Sequence, residues 1–483
     1  MSRPPADPPL CLDRSSAVPL TVQLSDALRG AMSEGLLRPG ERLPSSRSLA
    51  AQLGVSRTVV TEAFQQLYAE GWLDGRHGSG TYVAEHASPP VPPSPGSPAL
   101  PEGRPPHAEG RPPEPRLSRA EARRLGMVDL RPGAPWVRSH DGAAWRRAWR
   151  HAASLPLDDD PDPRGLPRLR EALAEHLRRT RGVRVGPRNV LVTRGTGNGL
   201  DLLTATVLAR GGRAGVEEPG YQRARDILES RGAEVVPCRV DRDGIVVDDL
   251  PADLSVVYTT PAHQYPLGGR LPVPRRERLL AWARSRGALV VEDDYDAEFR
   301  YDVAPLPALY GMDPGHVVLL GTLSKTLSPD LGIGWLVADA ALLERVAGTR
   351  DRLSDRTGVQ AQAATAMLLE RGDLDRHLRR MRLEYARRRR TLIDHLGPYL
   401  TGDTAGLHVM LPLPADAVAG VVAESAEQGV LVEDTSRASH GEPTVHGLVL
   451  GYGAAHPADL RRACRVLAGA VGRRAGSGGP ASR

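Results

Sequence analysis

Leu319-Leu320-Gly321-Thr322-Leu323-Ser324-Lys325-Thr326-Leu327-Ser328 contains the only lysine in a chain of 483 residues. Lysine and arginine together number 63, so every other basic side chain is arginine. Where positive charge alone is wanted, this sequence uses guanidinium, which stays protonated and forks onto carboxylates and phosphates. The one ammonium kept is expected to do what a guanidinium cannot: lose its proton and attack a carbonyl to form a Schiff base. Codon bias alone would not place the survivor after Val317-Val318-Leu319-Leu320, an apolar run that reads as a buried strand ending in Gly-Thr.

Working outward, Val190-Leu191-Val192, Glu234-Val235-Val236, Leu254-Ser255-Val256-Val257-Tyr258 and Ala288-Leu289-Val290-Val291 read as further strands, and 167–180, 199–210, 221–231 and 274–286 as helices. Short apolar strands alternating with amphipathic helices from Val128 onward predict an α/β domain, its mainly parallel sheet covered on both faces. From about residue 340 a long Arg-rich helix (373–396) and shorter strands (Gly406–Met410, Gly447–Gly451) predict a smaller α+β domain. The Gly/Ser-rich end, Ala475 to Arg483, is expected to be disordered.

Ligands of open α/β sheets sit beyond the carboxyl ends of the strands. Three sequences fall there. Thr193-Arg194-Gly195-Thr196-Gly197-Asn198-Gly199 leads into a helix and suits a phosphate held by free N–H groups. Glu292-Asp293-Asp294-Tyr295 supplies carboxylates after a second strand, and Thr322-Leu323-Ser324-Lys325 supplies the amine after a third. An anion cradle, a buried carboxylate and a lone amine along one sheet edge fit pyridoxal 5'-phosphate (PLP). The amine holds the aldehyde, the carboxylate keeps the ring nitrogen protonated, and the cradle grips the phosphate. Spacing does not separate Asp293 from Asp294 as ring partner; the other of the two is expected to be a helix or turn cap.

Net charge is +5 with a pI near 9.3, which permits a polyanionic partner. Residues 1–83 hold eight Arg against eight Asp plus Glu, so a nucleic-acid reading there rests on where the charges stand. Cys11, Cys238 and Cys464 are far apart and match no metal spacing, which predicts free thiols in a reducing compartment and no metal site. With no apolar signal core and no run near ~18 apolar residues, a soluble cytoplasmic protein without membrane association is expected.

Near the N-terminus, Val22, Leu24, Ala27, Leu28, Ala31 and Met32 recur at helical spacing, and Gly35 with Pro39-Gly40 closes that helix. The segment Leu43–Val60 holds two more, each preceded by a serine able to cap it, with Gly54 at the turn. Gly71-Trp72-Leu73 and Gly78-Ser79-Gly80-Thr81-Tyr82-Val83 read as two strands around a glycine-rich tip. Residues 84–116 carry 12 prolines and read as a semi-rigid polyproline linker.

Three helices and a hairpin make a winged helix-turn-helix. The run from Pro39-Gly40-Glu41-Arg42-Leu43-Pro44-Ser45-Ser46-Arg47 to Gly78–Val83 resembles the DNA-binding domain of GntR-family bacterial regulators. That resemblance implies a third helix in the major groove of double-stranded DNA, with Ser56, Arg57 and Thr58 facing bases and phosphates. Arg47 and the wing residues Arg76, His77 and Gly78 would hold the backbone.

Further on, Asp162-Pro163-Arg164-Gly165-Leu166, Glu217-Glu218-Pro219-Gly220-Tyr221, Pro261-Ala262-His263-Gln264-Tyr265-Pro266-Leu267-Gly268, Glu292–Phe299 and Ser324-Lys325 follow the motif order of fold-type I aminotransferases. The whole chain is similar to MocR-type regulators, the GntR subfamily with an aminotransferase-like effector domain. The resemblance implies a multidomain chain: a winged helix-turn-helix at 15–83, a Pro-rich linker at 84–127, and a PLP-binding aminotransferase-like domain at 128–473 with a small subdomain from about 340.

By the same resemblance Lys325 is the Schiff-base residue, Asp293 partners the ring nitrogen, Tyr295 meets the ring hydroxyl with His263 and Gln264 nearby, and Tyr221 stacks on the ring. Gly195, Thr196, Thr322 and Ser324 bind the phosphate, and Arg223 meets a ligand carboxylate. The implied function is a homodimeric, PLP-responsive transcription regulator whose second ligand is an amine or amino acid. The rival readings are an active aminotransferase with a DNA-binding appendage, and a DNA-binding protein whose effector domain no longer holds cofactor.

Two positions depart from the family. An arginine usually stands seven residues after the lysine to bind phosphate, but here Gly332 does, in Leu331-Gly332-Ile333-Gly334-Trp335. One charge-assisted bond fewer corresponds to roughly 1.5–3 kcal/mol, a tenfold to hundredfold loss of affinity. Aminotransferases also carry an arginine on a late strand for the substrate carboxylate, where this chain has Leu448-Val449-Leu450-Gly451-Tyr452; Arg437 or Arg223 would have to compensate.

Overall fold

The computed structural model describes residues 10, 12–76, 80–84, 117–137, 142–208, 211–301, 307–402 and 405–475. The chain divides into two units, residues 1–104 and 105–483. Cys11, His77, Gly78, residues 85–116 and the tail from 476 lie outside the described residues, and the Arg76 side chain is not described.

In the first unit α1 (Leu20–Ser33), α2 (Ser46–Leu53) and α3 (Arg57–Ala69) precede a hairpin of β1 (Leu73–Arg76) and β2 (Gly80–Val83). The hairpin is antiparallel, pairing Leu73 with Val83 and Arg76 with Gly80. Leu24, Leu28 and Met32 of α1 pack on Val60, Phe64 and Leu67 of α3 around one apolar core. Val22 departs from the expected buried stripe and is 46% exposed. Ser45 and Ser56 cap α2 and α3 by accepting from Ser48 N and Val59 N, which ends each preceding loop at a defined residue.

The second unit opens with α4 (Arg119–Arg124), β3 (Val128–Asp129), α5 (Gly142–Ala153) and α6 (Pro167–Arg181). Its large sheet is then built from β4 (Val190–Thr193), α7 (Thr196–Val207), β5 (Arg213–Glu218), α8 (Gln222–Ser230), β6 (Glu234–Asp241), β7 (Gly244–Ile245), β8 (Val256–Thr259), α9 (Val273–Arg286), β9 (Leu289–Asp294), β10 (Val317–Thr322) and β11 (Gly334–Val337). Strand order is β4-β11-β10-β9-β8-β5-β6-β7. The five central strands from β10 to β6 run parallel, while β11 and β7 are antiparallel to their neighbours.

Both faces are covered, and β10 shows why its sequence is apolar without alternation. Val317 and Leu319 join one buried cluster, whereas Val318 and Leu320 join the other. The remainder comprises α10 (Ala340–Arg352), α11 (Val359–Glu370), α12 (Asp373–Leu396), β12 (His408–Pro412), α13 (Ala415–Glu427), β13 (Val430–Leu431), β14 (Glu433–Asp434), β15 (Gly447–Gly451) and α14 (Pro457–Ala475). Here β12, β15 and β14 form an antiparallel sheet, and β13 pairs in parallel with β3, tying Val128–Asp129 to the C-terminal part of the chain. Among the described residues no helix is long and apolar enough to cross a membrane.

Candidate functional site

At the carboxyl ends of β4, β8, β9 and β10 lies a cavity of about 790 Å³, lined among others by Gly195, Thr196, Tyr221, Arg223, Tyr258, Asp293, Tyr295, Thr322, Ser324 and Lys325. The strand-end rule therefore gathers the phosphate candidates, the carboxylate and the amine into one chamber. Lys325 is half-buried and donates from Nζ to the Gly133 carbonyl at 2.6 Å. Loss of solvation, helped by the positive fields of Arg119 and Arg223 and opposed by Asp296 and Asp293, lowers its amine to about 8. A sizeable share of neutral, nucleophilic amine is thus present near neutral pH.

Alternation along β9 separates the two adjacent carboxylates. Asp293 faces the cavity, and its Oδ2 accepts from the Tyr258 hydroxyl at 2.5 Å. Asp294 points to the opposite face, where Oδ2 accepts from Arg181 Nε at 2.6 Å; it forms a buried ion pair and not the expected cap. Burial pushes Asp293 up to about 7 although the Tyr258 hydroxyl pulls it down. Its Oδ1 is buried and has no hydrogen-bond partner. A protonated ring nitrogen is the donor that this oxygen lacks, and it would also offset the charge that burial disfavours.

The phosphate end fits by the same test. Gly195 precedes α7, whose first N–H groups receive no side-chain cap. Thr322 Oγ1 donates to Ser324 Oγ at 3.0 Å and accepts from Ser324 N at 3.1 Å, so two hydroxyls stand opposite that helix start. The turn can sit so close to the sheet because position 334 is glycine: a Cβ there would lie 2.6 Å from Gly195 Cα and from the Gly321 carbonyl oxygen. Gly332 ends a short helical turn in the left-handed region, φ +59, with open space where a side chain would start. An arginine at that position would meet backbone strain before any phosphate.

Around the ring space, Tyr221 stands edge-on to Tyr265 at 6.1 Å between centroids, and Tyr295 donates to the His263 carbonyl at 2.9 Å. His263 itself is not a lining residue. Its Nδ1 is held by Asp296 Oδ2 at 3.0 Å behind the wall, and the imidazole that lines the cavity is that of His408. Gln264 is fully buried and pins the loop by donating to Glu217 Oε2 at 3.2 Å and to the Pro219 carbonyl at 3.0 Å. Arg223 and Arg437 both line the cavity. Arg223 is exposed and forms no ion pair among the described residues, whereas Arg437 pairs with Glu433 at 3.3 Å. No arginine lies on β15.

Sequence reading missed Tyr258, Tyr265, Gly133, Arg119 and His408, all lining residues. Tyr258 was legible only as the last aromatic of an apolar strand. Gly133 and Arg119 come from segments with no periodic signal at all.

In the first unit, Arg57 begins α3 and donates from Nε to Ser46 Oγ at 3.3 Å, which brings it beside the start of α2 and Arg47. Arg47, Ser56, Arg57 and Thr58 are all exposed at these two helix starts. Two N-termini and a guanidinium on one surface suit phosphate contact.

Comparison with known proteins matches residues 20–83 to the family of bacterial regulatory proteins, gntR family, and residues 139–442 to aminotransferase class I and II. The HTH-type pyridoxine biosynthesis transcriptional regulator PdxR of Corynebacterium glutamicum is 37% identical, covering 96% of this chain and 99% of that protein. The probable rhizopine catabolism regulatory protein MocR of Rhizobium meliloti is 34% identical over 95% of each. Among solved structures, an archaeal alanine:glyoxylate aminotransferase superposes with a TM-score of 0.68 at 26% identity, covering 72% of this chain and 92% of that one.

Proposed function

The chain belongs to the MocR-type GntR regulators, in which a DNA-binding domain is fused to an aminotransferase-like domain, and from that premise we propose that it is a cytoplasmic, homodimeric transcription regulator that responds to PLP. The aldehyde cofactor, when bound, supplies a carbonyl for an amine to capture and an electron-accepting ring. Lys325 offers the amine, Asp293 Oδ1 receives the ring N–H, Tyr295 lies at the ring hydroxyl, Tyr221 meets the ring face, and Gly195, Thr196, Thr322 and Ser324 hold the phosphate. The first unit reads double-stranded DNA through Arg47, Ser56, Arg57 and Thr58, with the wing residues Arg76, His77 and Gly78 on the backbone. A dimer would place two such units on repeated half-sites. Ligand acts by binding two domain arrangements unequally.

The carrying observation is the unpartnered Asp293 Oδ1 in one cavity with the chain's single ε-amine. Spectral titration with PLP, with and without DNA from upstream of the protein's own gene, tests it. Expected is an imine absorbance that disappears in Lys325→Ala and an affinity for PLP that changes when DNA is added. No imine in the unaltered chain would overturn the reading.

Arg223 and Arg437 on the cavity wall favour a second ligand with a carboxylate, an amino acid or related amine, and keep aminotransferase turnover as the rival reading. Steady keto-acid formation at ordinary enzyme rates, of the order of 1–10³ per second, would establish that rival.

A further inference from the structure

The Arg-rich stretch singled out in the sequence forms α12, and the proposed PLP site uses none of it. Residues 376–390 contain eight arginines and a single acid, Glu384. Helical spacing divides seven of them into two groups; the eighth, Arg389, is half-buried. Arg388 is buried, donating to the carbonyls of Gly453 at 2.5 Å and Ala455 at 2.9 Å and lying 4.0 Å from the Trp136 ring centroid. Arg382 donates to the Glu298 carbonyl at 2.6 Å. These two hold the fold together.

The other group, Arg376, Arg379, Arg380, Arg387 and Arg390, recurs at intervals of three, four and seven and is exposed along one face. At ~1.5 Å per residue that face spans about 21 Å. Arg376 pairs with Asp373 and Arg387 with Glu384, but Arg379, Arg380 and Arg390 form no ion pair among the described residues. Exposed arginines elsewhere include paired ones, Arg178 with Glu175, Arg239 with Asp249, Arg278 with Asp248 and Arg284 with Asp313, and ones with no ion pair among the described residues, such as Arg184, Arg188 and Arg286; what sets α12 apart is that three of the latter kind share one helix face. The one exposed acid on the same face, Asp394, stands at its end. Three guanidinium groups without an ion-pair partner among the described residues, flanked by two that are paired, are complementary to a regular line of anions.

We propose that this outer face of α12 is a second contact for the DNA phosphate backbone, separate from the winged helix-turn-helix and independent of base sequence. The inference rests on the reading that the chain works bound to DNA. A second copy of the chain is disfavoured as occupant, because two such ridges would repel.

The test is the salt dependence of binding of the full chain to a random-sequence duplex of about 60 base pairs, roughly 200 Å at 3.4 Å per pair. The triple variant Arg379→Gln/Arg380→Gln/Arg390→Gln is expected to lower the slope of log affinity against log salt by about 2 to 3, at ~0.9 for each phosphate no longer neutralised. The corresponding triple lysine variant should restore it, and PLP absorbance reports that the fold is intact. Arg57→Ala should lower the slope independently by about 1. An unchanged slope in the glutamine variant beside a lowered one in Arg57→Ala overturns the ridge and leaves the first unit's role standing; unchanged slopes in both overturn both. Binding to phosphatidylserine vesicles that the triple variant abolishes, with the DNA slope unaltered, would assign the ridge to a membrane surface and also overturn the proposal.

Discussion

The Tyr258 hydroxyl donates to Asp293 Oδ2 at 2.5 Å, while Asp293 Oδ1, equally buried, has no partner. One oxygen is fixed by the Tyr258 hydroxyl, and the other is buried with its accepting capacity unfilled. Asp293→Asn should therefore weaken PLP binding by about tenfold to hundredfold, the equivalent of roughly 1.5–3 kcal/mol for a bond to a charged group, with little change in unfolding midpoint. Asp294→Asn should do the reverse, because it leaves Arg181 without its buried carboxylate; about 3–5 kcal/mol of stability is expected to go. Calorimetric PLP titration and urea unfolding on both variants check the pair.

Capture of the aldehyde should quicken with pH. With Lys325 lowered to about 8, its neutral fraction falls about tenfold for each pH unit below that value and levels off above it. Asp293, raised to about 7, loses charge as pH falls and so weakens the hold on a protonated ring nitrogen in the same direction. Stopped-flow absorbance between pH 6 and 9 should give a rising profile with a plateau near the upper end; a rate that falls with pH would contradict the assignment of Lys325 as nucleophile.

Replacing Gly332 should cost stability before it improves anything. The left-handed backbone there, φ +59, disfavours any side chain by about 1–2 kcal/mol, although the space beside it is open. Gly332→Ala is expected to lower the unfolding free energy by that amount and leave PLP affinity unchanged within about twofold. Gly332→Arg tests whether a restored guanidinium recovers phosphate affinity in spite of the strain. Thermal melts and PLP titrations of the two variants separate the effects.

On the DNA side, Ser56→Ala removes the cap that accepts from Val59 N and should destabilise α3 by about 1 kcal/mol. Affinity for DNA should fall uniformly across sequences. Arg57→Ala should instead flatten the salt dependence, because one fewer phosphate is neutralised on binding. Fluorescence anisotropy over a salt series distinguishes the two losses.

Much of this was legible because β10, β9 and β4 are apolar runs ending in chemically distinctive residues. Lys325, the adjacent carboxylates Asp293 and Asp294, and Gly195 follow from that pattern and the strand-end rule. Choosing between Asp293 and Asp294 was not legible, since it needs the side-chain parity of β9 against its neighbours: Val291 joins the cluster of Tyr258, and Val290 joins the other. The strand β5, with Gly215 and two glutamates, carries too little apolar signal for its central place in the sheet. Val128–Asp129 pairs with Val430–Leu431 about 300 residues later, and no local pattern encodes so distant a partner. His263 was expected at the ring because its motif is; the Asp296 carboxylate that draws it behind the wall lies on another loop.

A protein with a single ε-amine carries its own spectroscopic reporter. Feeding cells ¹⁵N-labelled lysine would mark one side chain, Lys325, half-buried and hydrogen-bonded to the Gly133 carbonyl. Its lone resonance would register occupancy of the cavity in the intact DNA complex, with no signal from anywhere else in the chain to resolve it from.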